Sequence, residues 1–149
     1  MTARTTYLDP AVRGALVALG AAAKKGLGEP GLAELVMIRA SQINACAFCL
    51  DMHVGIAVDT YGESARRLAL LDAWQEAGDV FSERERAALA LTEAVTVLTD
   101  GFVPDEVYER AARHFTEAEL AHLIGAIAVI NSWNRLMVSR RIEPEGPAW

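Results

Sequence analysis

Apolar residues in this chain recur at three- and four-residue intervals and almost nowhere alternate with polar ones, a pattern that predicts amphipathic helices rather than strands. Pro, Gly and capping residues divide it. Asp9 and Pro10 form an N-cap followed by Pro at the first helical position, opening a helix that the Gly26 to Gly28 region stops. Pro30 opens a second, through Leu32, Leu35, Val36 and Ile38, to about Asn44. A third begins around Cys46 and runs to Asp59, ended by Thr60-Tyr61-Gly62; a fourth covers Ser64 to Trp74 and stops near Gly78. Ser82 with Glu85 fits a capping box, in which each side chain satisfies the other's free backbone N–H, and that helix runs to about Leu98. Pro104 starts another, with Val107, Ala111 and Phe115 on one face. Thr116 with Glu119 is a second capping box, opening a final helix to about Arg141. The tail, residues 143–149 with Pro144 and Pro147, cannot continue it. The expected fold is all-α, one bundle of six to seven helices over residues 1–149.

From Leu120 to Ile130 the final helix is apolar almost all round. A helix wet on one side alternates, so this one must be enclosed by its own core or by another subunit. Composition sharpens that point. At 52% hydrophobic residues the chain is no disordered segment, and a mean hydropathy of +0.19 is high for a domain this small. Together these predict a homo-oligomer. A formal net charge of −6 argues against nucleic acid as a partner, because a phosphate-tracking surface carries the opposite sign. The stretch from Met1 to Pro10 has no apolar signal core, and Leu123 to Ile130 is far too short to span a membrane. A cytoplasmic protein without membrane contact is expected.

The chemistry concentrates in residues 30–60. Cys46 and Cys49 are the chain's two cysteines and lie three residues apart. A structural disulfide stabilises by closing a long loop of the unfolded chain, and this pair would close almost none, so it reads as chemistry rather than as a staple. At the start of a helix, free N–H groups and the positive end of the dipole favour a thiolate, the attacking form of sulfur. His53 lies four residues after Cys49, on the same helix face, where it can take the thiol proton or hold the thiolate by charge. Glu34 sits among Leu35, Val36, Met37 and Ile38, where a carboxylate without partners is costly. If its helix packs back against the Cys49 face, Glu34 can orient His53. Asp51 points to roughly the opposite face and is left out of the site.

Other readings of these residues are weaker. Cys46, Cys49 and His53 could offer three metal ligands with His122 as a distant fourth, but structural zinc sites draw ligand pairs from separate elements. No metal and no cofactor is expected. His114 and His122 have no useful partner offset, Trp74 and Trp133 read as packing anchors, and Arg140-Arg141 reads as a solvated helix end.

Glu34, Cys46, Cys49 and His53, with Arg39-Ala40-Ser41-Gln42-Ile43-Asn44 leading into the cysteines, resemble the core motif of the alkylhydroperoxidase D-like (AhpD-like) proteins of the carboxymuconolactone decarboxylase superfamily. Phe81-Ser82-Glu83-Arg84-Glu85 and the segment Ala128 to Arg135 also resemble small single-domain members. The resemblance implies an all-helical antioxidant oxidoreductase assembled as a trimer or hexamer. It implies that Cys49 attacks a hydroperoxide, that Cys46 resolves the product to a disulfide, and that Glu34 and His53 relay protons. A thioredoxin-like protein or a lipoamide-type dithiol would then reduce the disulfide. One departure stands out: well-characterised members carry a second relay histidine immediately before the second cysteine, where this chain has Phe48. Two alternatives remain beside the peroxidase, a lactone decarboxylase of the same superfamily and a non-catalytic redox-sensing oligomer.

Overall fold

The computed structural model describes residues 2, 4, 5 and 7–145, and among them there are seven α-helices and no strand. These are α1 (Pro10–Leu27), α2 (Pro30–Ile43), α3 (Ala47–Asp59), α4 (Ala65–Leu70), α5 (Glu83–Thr96), α6 (Asp105–Ala112) and α7 (Glu117–Arg140). The caps fall where the sequence places them. The Asp9 side chain accepts from the N–H groups of Ala11 and Val12, and Gly28 closes α1 in the left-handed conformation at φ 73°. Both capping boxes, Ser82–Glu85 and Thr116–Glu119, are formed in each direction. Residues 143–145 lie beyond α7 without regular structure, and the rest of the expected tail falls outside the described residues.

The fourth helix is shorter than the Ser64 to Trp74 span expected. Its α-helical part ends at Leu70, and Leu71–Ala73 tightens into a 3-10 turn, followed by another at Gly78–Val80. The physical reason is burial: side chains three apart eclipse in a 3-10 turn, and Leu71 and Trp74 both enter the same core cluster. Trp74 is anchored there, its indole Nε1 donating to Glu93 Oε1 at 2.7 Å.

Helix α2 is the axis of the molecule, buried from Leu32 to Ile38 and again at Ala40 and Ser41. Three groups of its residues feed three core clusters. Leu32, Ala33 and Val36 pack with α5, α6 and α7; Leu35 and Ile38 pack with Leu71, Trp74 and Phe81; Met37 and Ala40 pack beside the cysteines. Each large aliphatic side chain buried in this way contributes about 1.5–3 kcal/mol. Helix α1 runs antiparallel to α7: the Arg4 N–H donates to the Arg140 carbonyl at one end, and Gly26 meets His122 at the other. A Cβ at position 26 would collide with the imidazole, so only glycine permits this approach. The apolar stretch of α7 is enclosed by the chain's own core, with Leu120, Leu123, Ala126, Ile127, Val129 and Ile130 all buried. Its wet stripe is Ala121, Ala128 and Arg135, seven residues apart; two alanines there made the helix read as apolar all round.

Candidate active site

The turn between α2 and α3 presents the cysteines. Ala45 takes a left-handed backbone at φ 51°, a conformation that costs an L-residue about 1–2 kcal/mol. Hydrogen bonds hold the turn against that cost. The Cys46 N–H donates to the Ser41 carbonyl at 3.0 Å, and Asn44 Nδ2 donates to Asn131 Oδ1 at 3.0 Å and Asn134 Oδ1 at 2.9 Å. Asn134, itself buried, donates from Nδ2 to Ser41 Oγ at 3.0 Å, and Ser41 donates to the Met37 carbonyl at 2.7 Å. The network joins α2 to α7 directly beneath the turn.

Cys46 is the N-cap residue of α3, and Cys49 lies in the first turn. The two are bonded as a disulfide with their Cα atoms 5.4 Å apart. Both are buried, but their surroundings differ. Cys49 lines an apolar cavity of about 320 Å³ together with Phe48, Met52, His53, Ile130, Trp133 and Met137, and Arg13 is its charged lining residue on α1. Among the described residues Cys46 does not line that cavity, although both cysteines belong to the core cluster that holds Met37, Ala126 and Val129. Phe48, at the position where the resemblance has a histidine, forms apolar wall. Trp133 also contributes wall instead of serving only as a packing anchor.

Helix α2 packs against α3 so that Glu34 meets His53, with Glu34 Oε2 lying 2.6 Å from His53 Nδ1. The carboxylate is completely buried. Burial pushes the Glu34 carboxyl up, but the hydrogen bond and charge of His53, and then those of Lys24, outweigh it and hold the group below its ordinary value. Lys24 was not legible as part of the site. Its Nζ lies 2.5 Å from Glu34 Oε1, so each carboxylate oxygen has a partner. A lysine in the last turn of a helix reads in sequence as an ordinary complement to the dipole, and nothing in a ten-residue separation pairs it with Glu34.

The structure therefore gathers Glu34, Cys46, Cys49 and His53 in one region. His122 is not brought to them: it lies over Gly26 with Nδ1 2.6 Å from the Ala118 carbonyl oxygen. Among the described residues, no three His, Cys, Asp or Glu side chains gather as a metal-ligand set, and no helix is long and apolar enough to cross a membrane.

Fold and site define an AhpD-like helical domain carrying a cysteine pair at the head of its third helix. Residues 10–94 match the model of the carboxymuconolactone decarboxylase family, and the chain belongs to that family. It is 44% identical to the uncharacterised protein YdfG of Bacillus subtilis over 106 residues, 71% of either chain. It is 32% identical to the uncharacterised protein YnjA of Escherichia coli over 118 residues, 79% of this chain and 63% of that protein. A crystal structure from Agrobacterium tumefaciens superposes with a TM-score of 0.91 at 34% identity, covering 98% of this chain and all of the other. That protein is of unknown function, with a role as the antioxidant defence protein AhpD suggested for it. An uncharacterised peroxidase-related protein from Silicibacter shares the fold, with a TM-score of 0.73 at 19% identity over 89% of this chain and 70% of its own.

Proposed function

We propose that this protein is a thiol-dependent hydroperoxide reductase in which Cys49 attacks, Cys46 resolves, and His53 and Glu34 manage the proton. The observation that carries the reading is that Cys49 and His53 line one cavity while Cys46 does not line it and is bonded to Cys49. In the reduced protein the Cys49 sulfur forms a bond to one peroxide oxygen as the O–O bond breaks. His53 takes the thiol proton and returns it to the departing oxygen, so that thiol and hydroperoxide become sulfenic acid and alcohol. The Cys46 thiol then displaces water from the sulfenic acid and forms the disulfide. A dithiol reductant, such as a thioredoxin-like protein or a lipoamide, restores both thiols and is itself oxidised to a disulfide.

The cavity wall favours organic hydroperoxides, because hydrogen peroxide gains nothing from Phe48, Ile130, Trp133 and Met137. Stopped-flow oxidation of the reduced protein tests this directly. Cumene hydroperoxide should oxidise Cys49 faster than hydrogen peroxide does, and both should outpace a free thiol of matched pKa. Equal rates for protein and free thiol would remove the assignment. Release of carbon dioxide from a muconolactone by the doubly Cys→Ser protein would instead make it a lyase.

A further inference from the structure

We propose that Lys24 is a positioning residue of the thiol site, holding Glu34 as a carboxylate in one orientation so that His53 presents the ring nitrogen that can accept the Cys49 proton. The kinetic consequence rests on the peroxidase reading; the positioning does not. Glu34 stands wholly buried on α2, with Lys24 on α1 at 2.5 Å from one oxygen and His53 on α3 at 2.6 Å from the other. An ionised carboxylate only accepts hydrogen bonds, so His53 Nδ1 must be the donor. In a neutral imidazole the remaining lone pair then lies on Nε2, the nitrogen left free to take a proton.

Remove the ammonium and the logic reverses. Glu34 Oε1 becomes a buried acceptor with no partner, and protonation is the cheapest relief. A carboxylic acid can donate to Nδ1, which places the ring proton on Nε2 and leaves that atom unable to act as a base. Lys24 is suited to its task because its stem crosses the α1–α2 contact while about a third of its side chain still meets solvent. Around the His53 end of this line Met52 from α3, Met37 from α2 and Val129 and Trp133 from α7 are uncharged, while on the cavity side His53 shares its lining with Arg13 of α1 and with Cys49. The groups paired with Glu34 itself are Lys24 and His53, and Arg13 stands on the far, cavity side of the imidazole.

The test compares Lys24→Met and Lys24→Arg with the native protein, in the disulfide form and without peroxide. Carboxyl carbon NMR follows the titration of Glu34, and ring-nitrogen NMR reads which nitrogen of His53 carries the proton. In Lys24→Met the Glu34 midpoint should rise and the His53 proton should move from Nδ1 toward Nε2 near neutral pH, with Lys24→Arg restoring both. In the reduced protein the acid limb of Cys49 oxidation should move to higher pH, with the rate below it falling about tenfold for each unit moved. Should Lys24→Met fail to fold, Lys24→Leu, which likewise removes both the charge and the donor, is read in the same way. An unchanged Glu34 titration and an unchanged His53 tautomer would overturn the proposal. If the spectra change as expected but peroxide never oxidises native Cys49, the positioning stands and the peroxidase reading falls.

Discussion

Two sulfur atoms three residues apart have unlike surroundings, and their roles should divide accordingly. Cys49 lines the cavity and Cys46 does not, so Cys49→Ser should abolish peroxide turnover, whereas Cys46→Ser should retain a sulfenic acid that dimedone traps at position 49. Labelling of Cys46 in the Cys49→Ser protein at a comparable rate would reverse the assignment. Glu34 makes a second prediction. Its folded-state carboxyl titrates below the ordinary 4.5, so its contribution to stability is complete above about pH 4.5 and is lost as pH falls through the folded-state value. Urea midpoints should therefore drop more steeply on acidification in the native protein than in Glu34→Gln. At pH 7 that variant should be less stable by about 3 kcal/mol, since it strips one member from a buried charge cluster.

Helix boundaries were largely legible, because Asp9, Pro10, Ser82, Glu85, Thr116 and Glu119 act on neighbours within a turn. The exceptions are instructive. The 3-10 winding at Leu71 follows from what Leu71 and Trp74 pack against, which lies elsewhere in the chain. The helix predicted to Leu98 ends at Thr96, and Thr96 Oγ1 accepts from Asn131 Nδ2 on α7 at 3.0 Å. Asn134 is the element-level hinge of the site, since it links α7 to both Ser41 and Asn44 at the end of α2. Asn134→Ala should cost about 2–3 kcal/mol in urea unfolding, because it leaves buried partners unsatisfied. An effect below 0.5 kcal/mol would mean that water replaces the amide at little cost.

Across the whole molecule, the exposed apolar surface does not lie where the sequence places it. Helix α7 is covered by its own chain, so its apolar stretch no longer calls for a partner subunit. The apolar surface that remains lies partly on α1, at Val12, Val17 and Leu19, with Leu98 and Phe102 exposed between α5 and α6. Light scattering at micromolar concentration should return a trimer or hexamer, and a monodisperse mass of 16.1 kDa would refute it. The mass should be the same oxidised and reduced; a change would favour a redox-sensing module over an enzyme.

Fold class, caps and the family motif were readable from the chain because they depend on periodicity and on contacts within a turn or two. The Cys49–His53 offset belongs to that group, since one helix carries both residues. Packing alone decided that Glu34 meets His53, that Cys49 and not Cys46 faces the cavity, and that Lys24 joins the site. Those three facts depend on how α1, α2 and α3 cross, an outcome of the whole core that local spacing does not encode.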